Sequence, residues 1–244
     1  IPGTTWKVRY TDISYPRTSF AIKTDGTLWT WGFNSQGQLG LNNLTKYSSP
    51  VQIPGTTWPV TFRNSQDFGC TNTFESVAAI KTDGSLWVWG KNQFGELGKN
   101  SPTNAACSSP VQVGTDTTWK TISTTYGDGT TYVSTKTDGS LWIWGVNQRG
   151  ELGQNQAYPG LNGVSSPTQI GSATTWNNAQ MIGRSALATK TDGTLWSWGY
   201  NEKGQLGQGN KTTYSSPVQI TGTTWDRVDT LGNKAVVAWR TDGT

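Results

Sequence analysis

Apolar and polar residues alternate along this chain in short segments, and one stretch of the alternation returns at a regular interval. The segment Ile22–Gly32 reads Ile-Lys-Thr-Asp-Gly-Thr-Leu-Trp-Thr-Trp-Gly. Close copies run from Ile80 to Gly90, from Thr135 to Gly145 and from Thr189 to Gly199, and a fifth copy begins at Trp239. The aspartates of the five Asp-Gly pairs follow one another at 58, 55, 54 and 50 residues: Asp25, Asp83, Asp138, Asp192 and Asp242. A repeat of this length is typical of propellers and solenoids.

Each repeat predicts four short strands, here called A to D. Strand A begins at a Thr-Thr-Trp signal, and strand B ends just before the Asp-Gly pair. Strand C is the Leu-Trp-x-Trp-Gly segment, and strand D begins at a proline such as Pro50. Asp-Gly between two apolar runs is a strong hairpin signal, and we expect a type I′ turn with positive φ at both central residues. No segment shows a sustained 3.6-residue apolar period, so no helix is predicted.

Strand C carries bulky residues on both of its faces. In the first repeat Trp29 and Trp31 share one face, whereas Leu28 and Thr30 share the other. Such a sheet must be covered twice, and stacking blades around an axis covers it. Only 33% of the residues are apolar, but there are 14 tryptophans, each able to bury about 150–250 Å². The pattern predicts an all-β fold, a β-propeller of four-stranded antiparallel blades with a tryptophan-rich core.

A glycine-rich loop separates strands C and D. It reads Gly-x-Leu-Gly at residues 37–40, 95–98, 150–153 and 204–207. A phosphate-binding loop would need a following helix whose N-terminus meets the anion, and here Ser-Ser-Pro and strand D follow instead. We therefore expect a structural loop packed under the blade.

The repeated motif resembles the regulator-of-chromosome-condensation repeat family. The resemblance is carried by Thr-Asp-Gly-Ser/Thr-Leu-Trp-x-Trp-Gly-x-Asn, Gly-x-Leu-Gly and Ser-Ser-Pro-x-Gln-Ile/Val, and it covers essentially the whole chain. Proteins of this family form seven-bladed propellers, which the resemblance implies here. Family repeats often place a histidine before strand B, and this chain has none.

The repeats divide the chain into a single propeller domain, residues 1–244. Repeats at about 1–53, 54–113, 114–170 and 171–220, with a partial repeat at 221–244, give about 4.5 blades. Propellers usually close with 4–8 whole blades. We expect a fragment of a longer chain that forms a seven-bladed propeller; the alternative is that a second chain supplies the missing strands.

Composition narrows the partners and the chemistry. The net charge is only +4, from 19 basic and 15 acidic residues without a clustered basic stripe, so nucleic acid is not an expected partner. No window of about 20 apolar residues could span a membrane. The absence of histidine excludes Ser-His-Asp and Cys-His catalysis and any His-ligated metal. We expect no cofactor, no metal site and no enzymatic activity.

The recurring charged residues have structural explanations. We assign the five Asp-Gly aspartates to the turns, and Glu96 and Glu151, which replace Gln38 and Gln205 of other repeats, to the surface. A cation stands before each turn: Lys23, Lys81, Lys136, Lys190 and Arg240. An anion-binding ring is one interpretation; we favour a solvated rim in which each lysine pairs with the aspartate of its own turn.

Cys70 and Cys107, the only cysteines, fall in the A–B and C–D loops of one repeat. An up-and-down blade places both loops at the same edge, so we expect a disulfide, which would indicate an oxidising or extracellular setting. Two free thiols are the alternative.

The A–B and C–D loops differ between repeats, and binding residues on rigid scaffolds are often on such loops. We expect them to form a face for a protein or glycan partner. Its candidate residues are Tyr10, Tyr15, Arg17, Phe68, Tyr126, Tyr158 and Tyr214.

Three function classes follow. We rank first a non-catalytic structural or binding module on a cell or virion surface, such as a phage appendage or a bacterial surface protein, with possible assembly with other subunits. A guanine-nucleotide exchange factor or chromatin-binding propeller comes second, and a soluble inhibitor or adaptor propeller third.

Overall fold

The strands of the four repeats form four separate sheets. The computed structural model describes residues 5–11, 18–58, 70–73, 75–100, 105–124, 131–156, 163–231 and 235–241. The strands of the first two repeats are β1 (Trp6–Thr11), β2 (Thr18–Lys23), β3 (Leu28–Gly32), β4 (Tyr47–Gln52), β5 (Cys70–Thr73), β6 (Ser76–Ile80), β7 (Leu86–Gly90) and β8 (Cys107–Gln112). The others are β9 (Ser123–Thr124), β10 (Thr131–Thr135), β11 (Leu141–Gly145), β12 (Val164–Gln169), β13 (Trp176–Ile182), β14 (Ser185–Lys190), β15 (Leu195–Gly199), β16 (Tyr214–Ile220), β17 (Trp225–Leu231) and β18 (Ala235–Arg240).

Each repeat is one antiparallel blade. The sheets are β1–β4, β5–β8, β9–β12 and β13–β16, each in sequence order, followed by the two-stranded pair β17–β18. The predicted all-β fold, the four-stranded blades and the count of four and a half are confirmed. Strands β5, β9, β13 and β17, which are A strands of successive blades, contact one another. The A strands therefore line the inner side of the propeller, and the D strands lie on its outer side.

The B–C hairpin is present, but the expected type I′ turn is wrong. The amide of Gly26 donates to Lys23 O at 3.0 Å, and Lys23 N donates to Thr27 O at 3.0 Å. This is a three-residue loop in which Gly26 has a φ of +78° and Asp25 is not among the residues with positive φ. Asp25 Oδ1 accepts both the amide (3.0 Å) and the hydroxyl (2.6 Å) of Thr27, and this local bonding holds the turn without a left-handed aspartate.

The core consists of apolar clusters, each shared by two consecutive blades. Between the first two blades, Phe20, Ile22 and Leu28 pack with Trp58 and Trp89. The next interfaces are built in the same way, and a smaller cluster joins the fourth blade to β17–β18. Both faces of a blade are therefore buried, as the pattern of strand C predicted.

The glycine-rich loop completes each interface. Trp144 of the third blade is fully buried and donates its Nε1–H to Glu96 O, in the loop of the second blade, at 3.0 Å. A Cβ added to Gly98, whose φ is +63°, would lie 2.9 Å from that indole nitrogen. Trp89 and Trp198 bond to the preceding loops in the same way. The loop is structural, as expected, and serves as the seat for the next blade's tryptophan.

Candidate binding edges of the propeller

The ends of the strands form two edges of different chemistry. The turn edge carries the B–C turns and the D–A connections (residues 53–57, 113–118, 170–175 and 221–224). The loop edge carries the A–B and C–D loops, and its described C–D residues are 33–46, 91–100, 105–106, 146–156, 163 and 200–213.

A hydrogen-bonded relay fixes the turn edge in every complete blade. In the first blade Trp29 Nε1 donates to Thr27 Oγ1 at 2.8 Å, and that hydroxyl donates to Asp25 Oδ1. The same relay links Trp87 to Asp83, Trp142 to Asp138 and Trp196 to Asp192. Hydrogen bonds from the Thr or Ser neighbour lower the pKa of each of these aspartates. The recurring carboxylates thus hold the turns.

The lysine before each turn lies between two indole rings. We call this arrangement a Trp–Lys–Trp site; it joins the lysine, the strand-A tryptophan and the first strand-C tryptophan. In the second blade Lys81 Nζ lies 3.8 Å from the ring centre of Trp87 and 4.8 Å from that of Trp58. The other sites are Lys23 with Trp6 and Trp29, Lys136 with Trp119 and Trp142, and Lys190 with Trp176 and Trp196.

The expected pairing of each lysine with its own turn aspartate is not seen. In the part of the chain that the structure describes, the one ion pair within 4.0 Å joins Lys136 Nζ to Asp116 Oδ2 at 2.6 Å, and Asp116 lies in a D–A connection. Burial alone would raise the pKa of Asp116, but hydrogen bonds from Lys136 and Thr118 lower it to about 2. Indole faces, which attract cations, take the place of carboxylates in the other sites.

Of the predicted binding residues, Tyr214 is the one whose side chain is described. It is half-buried at the start of β16, and its hydroxyl oxygen accepts from Asn210 Nδ2 at 3.1 Å. Tyr10 lies on β1 opposite Phe20. Tyr15, Arg17, Phe68, Tyr126 and Tyr158 lie outside the described residues, so the predicted face stays a prediction.

The loop edge carries other exposed groups that the sequence reasoning missed. Arg149 of the third blade lies over the ring of Tyr200 of the fourth, 5.6 Å from its centre. The Tyr200 hydroxyl donates to Glu202, and this bond raises the pKa of the tyrosine. In the first blade Lys46 lies 4.8 Å from the ring centre of Phe33. The missed signal was the residue after the strand-C glycine, which is Phe33, Lys91, Val146 and Tyr200 in successive repeats.

The two edges differ in charge. At the loop edge four described cations are exposed and three are half-buried. The exposed ones are Lys46, Arg149, Lys203 and Lys211, and the half-buried ones are Lys91, Lys99 and Arg184. Among the carboxylates described there, Glu202 is exposed, whereas Glu75, Glu96 and Glu151 are buried. At the turn edge, five described cations face five described aspartates. Within the described residues, the loop edge is therefore basic at its surface, and the turn edge is balanced.

Glu96 and Glu151 are not surface residues, which corrects the sequence interpretation. Each is 2% exposed, and its carboxylate accepts the amide of the residue two positions earlier, Phe94 or Arg149. Burial raises the pKa of both glutamates, and the loop amides oppose the shift. Gln38 accepts the corresponding amide at 2.9 Å, so the loop needs an oxygen there and not a charge.

Cys70 and Cys107 lie on the two edge strands of the second blade, with β6 and β7 between them. Neighbouring strands lie about 4.8 Å apart, and a disulfide needs Cα atoms within about 7 Å. Cys107 is a free thiol, half-buried, with Lys99 Nζ 3.5 Å from its sulfur, and the side chain of Cys70 is outside the described residues. The separation of the two strands argues against a disulfide between Cys70 and Cys107. Because the side chain of Cys70 lies outside the described residues, the disulfide stays a prediction.

The described residues contain no group of three or more acidic, cysteine or histidine side chains placed to hold a metal ion. They also contain no helix with the length and apolarity that crossing a membrane would require.

Comparison with known proteins identifies relatives with the same repeat. The chain is 28% identical over 202 residues to the ultraviolet-B receptor UVR8 of Arabidopsis thaliana, covering 82% of this chain and 43% of UVR8. It is 25% identical over 205 residues to human E3 ubiquitin-protein ligase HERC2, covering 83% of this chain and 4% of HERC2. Yeast RCC1 (Prp20), in a structure bound to Kap60, superposes with a TM-score of 0.70 at 20% identity, covering 89% of this chain and 50% of that one. The chain thus spans half or less of the length of these relatives.

The family model for the regulator of chromosome condensation (RCC1) repeat matches residues 25–63, 83–133 and 192–228. These stretches begin at turn aspartates and run through strand C, the glycine-rich loop and strand D. They contain three of the four Trp–Ser/Thr–Asp relays and two of the loops that seat a tryptophan of the following blade. The chain belongs to the regulator of chromosome condensation (RCC1) repeat family.

Proposed function

We propose that this propeller is a non-catalytic module that binds a protein partner with an acidic surface through its loop edge. The observation that carries the proposal is the charge of the described part of that edge, where four exposed and three half-buried cations stand beside one exposed carboxylate. Complementary charge gives such an interface orientation and a faster association rate.

The loop edge also supplies anchors for an interface. Arg149, Tyr200 and Glu202 form a connected group across two blades, and Leu44 is 60% exposed. Arginine and tyrosine are enriched among residues that contribute most to binding. These side chains differ from blade to blade, whereas the turn edge repeats, so the loop edge can distinguish one partner from another.

Site-specific photo-crosslinking tests the proposal. A benzoylphenylalanine introduced at Tyr200 should crosslink a defined protein from the native source, and the same group at the exposed Gln52, on the outer strand β4, should not. Arg149→Glu should weaken the captured complex at least tenfold and reduce its salt dependence. Equal crosslinking from Tyr200 and Gln52, or capture of a glycan instead of a protein, would contradict the proposal.

We also propose that the module acts at a cell or virion surface. Support comes from the composition, with 14% charged residues and 30 glycines, which suits an extracellular repeat protein. Labelling of intact cells or particles with a membrane-impermeant amine reagent should modify Lys46 and Lys203. Labelling of these lysines only after lysis would overturn the location.

A nucleotide-release assay on a small GTPase separates the binding module from the exchange-factor alternative. We expect the propeller not to accelerate nucleotide release.

A further inference from the structure

The Trp–Lys–Trp sites of the turn edge are not all filled alike. In the third blade Asp116 Oδ2 lies 2.6 Å from Lys136 Nζ, while its Oδ1 accepts the amide and the hydroxyl of Thr118 at 2.8 and 2.7 Å. The carboxylate comes from the D–A connection at residues 114–118, which lies just before Trp119 and bends at residues 114 and 115. In the third blade, therefore, a carboxylate of the chain itself, that of Asp116, already binds the lysine ammonium.

The second and fourth blades have the same site without the acid. Asp116 stands three residues before its strand-A tryptophan, and the residue at that position is Gly55 before Trp58 and Ala173 before Trp176. Of the residues that the structure describes, none places a carboxylate within 4.0 Å of Lys81 or Lys190.

The position three residues before the tryptophan points at the cation in these blades too. A Cβ built on Gly55 would lie 3.8 Å from Lys81 Nζ and 3.6 Å from Trp58 Nε1. Ala173 packs against the same cluster as Trp196, which is part of the fourth site. A carboxylate arriving from solvent at this position would meet the ammonium as Asp116 does.

The ammonium group is the donor that a carboxylate would meet at these places. The indole Nε1–H groups of Trp58 and Trp176 are buried and have no acceptor among the described residues, but the same is true of Trp119, whose site Asp116 already occupies. The indoles are therefore neighbours of the site and not donors to the ligand. Lys81 has lost part of its water, since burial lowers its pKa against the opposing effect of Asp83. Hydrogen bonds between charged groups are stronger where water is partly excluded.

We propose that the Trp–Lys–Trp sites of the second and fourth blades bind side-chain carboxylates of a partner peptide, each in the position that Asp116 occupies in the third blade. The resident example is a single aspartate in a short connecting segment. The ligand is therefore a peptide with isolated acidic residues. A run of acids would be repelled by the exposed turn aspartates, Asp83 and Asp192, beside each site.

The resident segment provides the probe. The acetylated and amidated pentapeptide Gly-Thr-Asp-Thr-Thr, the sequence of residues 114–118, is titrated into the whole chain at millimolar concentration. The indole N–H resonances of Trp58 and Trp176 are followed by NMR after triple-resonance assignment. Both should shift saturably, and the same peptide with asparagine in place of aspartate should cause no shift. Absence of a saturable shift, or equal shifts with the asparagine peptide, overturns the proposal.

Ala173→Asp installs the resident acid in the fourth blade. The Trp176 response to the peptide should be lost, while the Trp58 response is kept. Ser172→Asp, which adds the same charge one residue away, is the matched control and should keep both responses. Loss of the Trp176 response in the control as well would show a general charge effect and overturn the assignment.

Asp116→Ala tests the third blade in the opposite direction, because Trp119 should become responsive to the peptide. A Trp119 resonance that stays unresponsive in this variant counts against the proposal.

Titration with polygalacturonate distinguishes the source of the carboxylate, a polysaccharide or a peptide. Saturation by the polysaccharide at a lower carboxylate concentration than by the peptide would overturn the choice of a peptide ligand.

Discussion

At the scale of single residues, the two tryptophans of strand C occupy different environments. The first, such as Trp87, is half-buried against a lysine and bonded to the turn hydroxyl. The second, such as Trp89, is fully buried between blades and bonded to the preceding loop. Trp31 stands at the second position but is half-buried, which makes it a natural reference for the energetic effect of the seat.

Trp89→Ala should lower the free energy of unfolding by about 3–5 kcal/mol, because it leaves a large cavity between two blades. Trp31→Ala should cost clearly less, since that side chain buries less surface. Urea denaturation followed by circular dichroism measures both. A loss below about 1 kcal/mol for Trp89→Ala would contradict the packing described here.

Glu96 and Gln38 form a matched pair for testing the buried charge. The folded protein raises the pKa of Glu96. The stability linked to its protonation is therefore fully present below the unfolded pKa and is lost as pH rises through the folded pKa. Glu96→Gln should therefore melt at a higher temperature than the parent, and the difference should grow as the pH rises from about 4 to about 7.

The reverse substitution, Gln38→Glu, should lose melting temperature over the same range. Thermal melts at several pH values decide the matter, and parallel profiles for parent and variants would argue against a buried charge at this position.

At the scale of elements, the strands and loops were predictable because their signals are local. Asp-Gly and Leu-Trp-x-Trp-Gly specify a hairpin by periodicity and turn chemistry, and the structure has it in each complete blade. The details that failed depend on neighbours in space. The turn type depends on where the Asp25 carboxylate bonds, and the burial of Glu96 depends on the amides of its own loop.

The candidate sites were predicted less well for the same reason. The position of Lys81 depends on a strand-A tryptophan 23 residues earlier in the chain (Trp58) and on Trp87 across the hairpin. A sequence pattern shows that these residues recur, but not that they meet. The Arg149–Tyr200 contact crosses from one blade to the next, so the repeat shows that position 200 varies but not that Arg149 meets it.

The glycine-rich loops allow a direct measurement of the interblade contact. Gly98 and Gly207 have nearly equal φ, +63° and +64°, but a Cβ at Gly98 meets the Trp144 indole at 2.9 Å, whereas at Gly207 the nearest atom is 3.5 Å away on Ile220. Both Gly→Ala variants incur the cost of a left-handed alanine, about 1 kcal/mol. Gly98→Ala should cost a further 1–3 kcal/mol or so from overpacking. Equal losses in denaturant melts would show that the seat tolerates a methyl group.

At the scale of the whole molecule, the blades form a linear series of shared interfaces. The third blade contributes Tyr132 and Trp144 to one cluster and Val133, Leu141 and Ile143 to the next. In contrast, β17–β18 contributes Val228 to the small cluster that it shares with the fourth blade. Stability in such arrays is approximately a sum over neighbouring units.

Hydrogen exchange should therefore be graded along the chain. Amides of β17 and β18 should exchange well before those of β10 and β11, because a blade covered on both faces opens only together with its neighbours. Exchange measured by mass spectrometry on peptides from these strands tests this, with the turn-edge connections as fast-exchanging references. Uniform protection of all strands would instead indicate one cooperative unit.

The seat that each glycine-rich loop offers to the following tryptophan has a consequence for how such a chain can change over generations. Three of these loops bond the strand-C tryptophan of the next blade in the same way, so an exchange among these blades keeps that contact. Unequal recombination between the DNA copies of two repeats adds or removes one whole blade, and the new neighbours still meet at complementary surfaces. Blade number can thus vary without a new interface having to arise.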